Sequence, residues 1–300
     1  MANHAVTMDE RLGLNLPRDA WPTPGLLAAH EEAGLRWLQV HTPPRAMLAD
    51  RARCRRHARA LRTVLAGASL RLVLHAPDDL SAGTAEHDRA FDGLLDYAAE
   101  AGAELVAYHG LNFADAEGPA HARIRERALL EERSLGCLLQ RAHTLDVTVA
   151  IENLAPVHPG PRRLCHDPLA VADLVRRLGS PAAGMLLDVG HLHITADANR
   201  ADPATLAAAV AREVVLFHLH DNLGARRHDL DAPGIDPLKL DLHLPPGRGS
   251  LPWARLAPLL RDHDAPLMLE IEPSQRPALH EITGAVQRAL AVALPERAAA

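Results

Sequence analysis

The 300-residue sequence predicts an α/β fold, a (β/α)8 barrel, on three observations. Short runs that are apolar nearly throughout alternate with longer amphipathic stretches, as expected of parallel strands buried on both faces and joined by helices. Eight such runs occur along the chain. No glycine-rich phosphate fingerprint follows the first of them, which argues against the competing doubly wound sheet.

The predicted strands are Arg11–Leu16, Arg36–His41, Arg71–His75, Glu104–His109, Val147–Glu152, Gly184–Asp188, Val214–His220 and Pro266–Ile271. Helices are predicted between them over Thr23–Gly34, Ala46–Ala66, Ala85–Gly102, His121–Leu145 and Pro168–Leu178. Gly34, Gly102 and Gly179 stand where helices should stop, and Pro203 and Pro252 where helices should start. Asn222–Ser250 is too long for a plain connection in a compact domain and reads as a functional loop. No linker or composition break divides the chain, so one barrel domain is expected over residues 1–300, ordered from 11 to 293.

Composition narrows the function. Apolar residues make up 48% and charged residues 23%, enough to bury a core, and no 18-residue window is free of charge, so no membrane span is expected. Met1–Arg11 shows no secretory signal. Cys54, Cys137 and Cys165 are odd in number, widely spaced and away from strand ends, which fits structural thiols in a reduced, cytoplasmic protein. A net charge of -6 and only eight aromatics (Phe 3, Trp 3, Tyr 2) disfavour a nucleic-acid partner without excluding a local basic groove. Against those eight stand 19 histidines.

The placement of the histidines matters more than their number. In a barrel, chemistry gathers at the C-terminal ends of the strands. The ends of the third to eighth strands read His75-Ala-Pro, His109-Gly, Glu152-Asn, Asp188-Val-Gly-His191, His218-Leu-His220-Asp221 and Glu270-Ile-Glu272. Any one of these alone is a weak signal, since a lone histidine after an apolar run is usually a hydrogen-bonded core or loop residue. Six in register would converge on one axis, where unpaired ionisable groups are costly and cations are expected. Within the long loop, Asp241-Leu-His243 precedes Gly247-Arg248-Gly249 and could fold further ligands over the mouth. Imidazoles and carboxylates without thiolate suit Zn²⁺ or Mn²⁺, with Fe²⁺ and Co²⁺ also compatible.

The pattern resembles the xylose-isomerase-like TIM-barrel superfamily, which includes endonuclease IV and the sugar-phosphate isomerases and epimerases. The resemblance runs from Leu12 to Leu290 and is most specific at Ala150-Ile-Glu152-Asn153, Asp188-Val-Gly-His191, His218-Leu-His-Asp221 and Asp241-Leu-His243 with Gly247-x-Gly249. It implies that His75, His109 and Glu152 hold one metal, and that Glu152 bridges to a second with Asp188, His218 and Glu270. A third would fall to His191, Asp241 and His243, giving one to three ions per chain. Glu152, Asp188, His218 and Glu270 are also the mononuclear set implied by the ketohexose epimerases.

Three functions follow as expectations. The first is a metal-dependent sugar or sugar-phosphate isomerase or epimerase, with Glu152 and Glu270 moving the proton beside a metal-polarised carbonyl. His220, Arg248 and His41 are its candidate substrate contacts, although a solvated loop charge is the plainer reading of Arg248. The alternative is an endonuclease IV-like zinc phosphodiesterase acting on abasic DNA, which the nine-ligand set favours. Asp78-Asp79 after Pro77, His109-Gly-Leu-Asn112 and Leu154-Ala-Pro156 depart from that branch, and the acidic pair would repel a DNA backbone. A barrel holding structural metal alone is the third, for which nine ligands are excessive. A small-molecule sugar or sugar phosphate is the expected partner, and a homo-oligomer is compatible with the sequence.

Remaining residues have plainer expected roles. Trp37 and Trp253 read as packing residues, and Glu272 shares a strand face with Glu270. Arg51, Arg53, Arg55, Arg56 and Arg59 read as a solvated or interface face, and Pro295–Ala300 as a frayed end.

Overall fold

A computed structural model describes residues 8–110, 112–113, 121–155, 162–163, 165–225 and 240–291. The middle of the long Asn222–Ser250 loop and the terminal Pro295–Ala300 segment lie outside them. Eight parallel strands close into a barrel: β1 Leu12–Asn15, β2 Trp37–His41, β3 Arg71–His75, β4 Leu105–Tyr108, β5 Thr148–Glu152, β6 Ala183–Asp188, β7 Val214–Leu219 and β8 Leu267–Leu269. Each strand pairs with its successor in the chain, and β8 pairs with β1.

The principal helices are α1 Pro24–Glu32, α2 Arg51–Leu65, α3 Ala85–Ala101, α4 His121–Thr144, α5 Pro168–Leu178, α6 Val189–Asn199, α7 Pro203–Val210, α8 Trp253–Asp262 and α9 Leu279–Ala291. Their ends follow capping chemistry. Thr23, Thr84, Asp167 and Asp202 each accept a hydrogen bond from a first-turn N–H, and Gly102 and Gly179 close α3 and α5 in the left-handed region. The helix predicted over Ala46–Ala66 is broken instead. Asp50 turns out of the helix and accepts from Ala52 N and Arg53 N, both at 3.1 Å, separating a short turn at Arg45–Leu48 from α2. The arginines of α2 lie on its exposed face, with Arg51 and Arg59 paired to Asp92 and Glu100 of α3. No helix among the described residues is long and apolar enough to cross a membrane.

The barrel interior is a small cluster of its own: Trp37, Val73, Leu105, Ala107, Ala150, Leu186, Leu216 and Met268, all buried. Large and small side chains alternate there because the space is fixed. A Cβ added at Gly13 would stand 2.6 Å from Trp37 Cβ and 2.8 Å from Met268 Cε. Strand side chains alternate faces, so residues two further along these strands also point inward. From that cluster this step leads to Gln39, His75, His109, Glu152, Asp188, His218 and Glu270, which places the predicted ligands above an apolar floor. The opposite end of the barrel carries Arg11, 1% exposed, whose guanidinium donates to Ala265 O and Leu260 O at 2.8 Å each.

Candidate metal centre and active site

The described residues form three groups of potential ligands at the C-terminal mouth: His75, His109 and Glu152; Glu152, Asp188 and His218; and His191, His220, Asp241 and His243. Glu270 lies beside the second, its Oε2 3.4 Å from His218 Nδ1. Every residue expected to bind metal is thus brought to this mouth. The structure also draws His220 into the third group, where a substrate contact was expected.

Each group is held by bonds from its surroundings. His191 Nδ1 and His243 Nδ1 lie 2.9 Å from the carbonyls of Asn153 and Glu270. A carbonyl only accepts, so both rings carry the proton on Nδ1 and present Nε2, in each case 3.2 Å from Asp241 Oδ2. His75 Nδ1 is fixed the same way by Ala76 O at 2.8 Å. Asp188 caps α6, its Oδ1 accepting from His191 N at 2.7 Å, so one carboxylate both starts the helix and joins the cluster. Asn153 holds the Asp188 backbone from both sides, donating to its carbonyl at 3.0 Å and accepting from its amide at 2.8 Å.

Asp221 takes no place among the ligands. Its carboxylate accepts from Asn222 N, Gly247 N, Leu251 N and Trp253 Nε1 at 2.8–3.1 Å, and so ties the segment bearing Asp241 and His243 to the barrel. Trp253 has the packing role expected of it and a hydrogen bond as well, while Trp37 floors the barrel beneath the Arg71 guanidinium at 3.9 Å.

The donor set fits divalent cations. His218 Nδ1 is ringed by Glu152 Oε1, Asp188 Oδ2 and Glu270 Oε2 at 3.5, 3.8 and 3.4 Å. A tetrahedral site with bonds of about 2.1 Å has edges of about 3.4 Å, close to these separations. Glu152 Oε2, His218 Nδ1, His220 Nδ1 and Asp241 Oδ1 are buried without a hydrogen-bond partner. His109 Nε2 is only 3.3 Å from Glu152 Oε2 but is not aligned to donate to it. Leaving such groups unsatisfied costs kilocalories per mole, and a coordinated cation removes that cost for the atoms that ligate it.

Electrostatics describe the same cluster with protons in place of metal. Burial disfavours charge on His218, but Glu270 and Glu152 more than offset it and push its pKa up to about 10. Burial is likewise outweighed at His243 by Asp241, raising it to about 9, and at His191 by Asp188 and Asp241, raising it well above the usual range. Glu152, Glu270 and Asp241 are held well below ordinary carboxylate values: burial works against them, but neighbouring imidazoles prevail. His75 goes the other way, to about 4, through burial and the nearby His109.

The mouth opens into a cleft of about 440 Å³ bordered by His41, His75, His109, His191, Asp241, His243 and Glu270, with Arg18, Asp78, Glu272 and Arg276 around the rim. His41 therefore stands where a substrate contact was expected. His220 is fully buried within the third group, its Nε2 3.0 Å from Asp188 Oδ1 and its ring stacked on His243 at 4.0 Å, and it does not line the cleft. Arg248 lies away from this cleft, on a larger groove of about 980 Å³ between the 244–248 turn and α9. Among the described residues, the cations beside the candidate ligands are Arg18, paired with Asp78, and Arg276, which donates to Asn15 and Ile271 O. Sequence reading missed both: Arg18 follows the end of β1, which carries no ligand motif, and Arg276 lies six residues beyond Glu270, outside the motif at the end of β8.

Fold and site define a class: a (β/α)8 barrel with a histidine–carboxylate cluster at its C-terminal mouth. A family model for the xylose isomerase-like TIM barrel matches residues 27–291, and the chain belongs to that family. Similar solved structures include a D-tagatose 3-epimerase-like protein, 15% identical, with a TM-score of 0.71 over 93% of this chain and 97% of that one. The 3-keto-D-glucoside 4-epimerase of E. coli is 12% identical, with a TM-score of 0.68 over 93% and 98%. The D-psicose 3-epimerase of Clostridium cellulolyticum is 12% identical, with a TM-score of 0.66 over 93% and 96%. At these identities the likeness is one of fold. No curated protein matches the sequence significantly.

Proposed function

We propose that this chain is a divalent-metal-dependent sugar or sugar-phosphate epimerase or isomerase that works by proton transfer beside a carbonyl. The observation that carries this reading is the position of two carboxylates, Glu152 Oε1 at the end of β5 and Glu270 Oε2 just after β8, at 3.5 and 3.4 Å from His218 Nδ1. Zn²⁺ or Mn²⁺ held by Glu152, Asp188, His218 and Glu270 would polarise a substrate carbonyl and acidify the adjacent C–H. Glu270 borders the cleft and is kept ionised, so its carboxylate can take that proton. Glu152 would take up a proton from water and deliver it to the opposite face, and Glu270 would release its own to water, as a two-base epimerisation requires. His41 in the cleft would orient substrate oxygens, and the apolar floor beneath the ligands excludes water from below. The epimerases among the similar structures support this reading.

One observation favours a second reading. The third group, His191, His220, Asp241 and His243, exceeds what proton transfer needs and would suit zinc-dependent phosphodiester hydrolysis on abasic DNA. Incubation of the metal-loaded enzyme with ketoses and ketose phosphates in D₂O separates the two. The first reading predicts deuterium at the carbon next to the carbonyl, lost in Glu270→Gln. Metal-dependent nicking of an abasic duplex, with no exchange into any sugar, would overturn it.

A further inference from the structure

Gln39 belongs to no motif, yet it is fully buried and sits at the heart of the centre. Its Nε2 donates to Glu270 Oε1, and its Oε1 lies 2.8 Å from His218 Nε2. The orientation of the amide follows from chemistry: an ionised carboxylate only accepts, so the NH₂ faces Glu270 and the carbonyl oxygen faces His218. That oxygen in turn requires a proton on His218 Nε2. The lone pair of a neutral His218 is therefore on Nδ1, the atom ringed by Glu152, Asp188 and Glu270.

We propose that Gln39 is a positioning residue that selects Nδ1 as the ligating atom of His218 and divides the two oxygens of Glu270 between itself and the cation. Glu270 Oε1 is occupied by the amide, and Oε2 is turned to the centre. One side chain from β2 thus sets a ligand on β7 and the proposed base just after β8. It reaches past β1, which stands between β2 and β8 in the closed barrel. This inference rests on the metal centre argued above and is independent of which sugar, if any, is turned over.

The test uses the full chain stripped of metal, with Zn²⁺ affinity measured by chelator competition. Gln39→Met keeps length and apolar volume but removes both hydrogen bonds. Loss of such outer partners typically weakens metal binding about 10–100-fold, and that loss is expected here with the fold intact by circular dichroism. Nitrogen-15 spectra of the zinc-loaded wild type supply a readout that needs no variant: His218 should be bound through Nδ1 with its proton on Nε2. Wild-type affinity in a folded Gln39→Met, or His218 bound through Nε2, would overturn the inference alone. A wild-type chain that takes up no zinc would contradict the metal centre itself, and the inference with it.

Discussion

At the residue scale, the centre is a balance between carboxylates and imidazoles that either protons or metal can satisfy. Without metal, His218 and His243 titrate near 10 and near 9, against about 6.5 in an unfolded chain. A histidine whose folded pKa is raised contributes stability that is complete below its unfolded value and is lost as pH rises through its folded value. The metal-free protein should therefore lose thermal stability between pH 6.5 and about 10, whereas the zinc-loaded protein, whose ligands are already neutral, should not. Scanning calorimetry of both forms across that range checks the contrast. Parallel curves would place the protons elsewhere.

The same scale shows what spacing can and cannot reveal. Ligands at strand ends are legible because an apolar run followed by His, Asp or Glu is a local pattern. The bonds that aim them are not local: Gln39 lies 179 residues from His218 and 231 from Glu270. His220 was legible as a polar strand end, but its burial behind Asp188 depends on Gly190. A Cβ there would stand 2.1 Å from His220 Cε1, and that contact brings together two strands and a helix start.

At the element scale, strands were read to within a few residues because parallel strands buried on both faces are continuous apolar runs. The helices flanking the site were harder. Residues 189–196 of α6 are all buried, so no polar face marks its period, and its N-cap is the candidate ligand Asp188. Residues 46–66 carry helical periodicity throughout, but Asp50 meets its capping preference by breaking the run. The segment bearing Asp241 and His243 is the element most exposed to mutation, because one buried carboxylate gathers its four donors. Asp221→Ala leaves several of these donors buried and unpaired, at a cost of about 3 kcal/mol or more in stability. Urea unfolding should show that loss, and metal counting should show the third group emptied before the others. Full retention of stability and metal would contradict the anchoring role.

At the scale of the whole molecule, barrel closure is what turns six separate strand-end signals into one site. The interior cluster fills the space below and leaves no apolar side chain to take the place of the ligands above it. Substrate, metal identity and assembly are not properties of that closure, which is why many enzymes share this fold while differing in chemistry. The shortage of aromatics turns the reading from DNA toward a sugar, whereas the acidic pair Asp78-Asp79 is compensated by Arg18 and Arg45, and the third group of candidate ligands keeps hydrolysis as the competing chemistry.

The central claim is that the strand-end constellation is a divalent-metal centre on which function depends. Metal content per chain, measured on protein purified without chelator, tests it most directly when wild type and Glu152→Gln are compared. Glu152 belongs to two of the three groups, so at least one zinc or manganese is expected per wild-type chain, with both metal and turnover lost in the variant. A wild-type chain without metal, or a metal-replete and active Glu152→Gln, would contradict it.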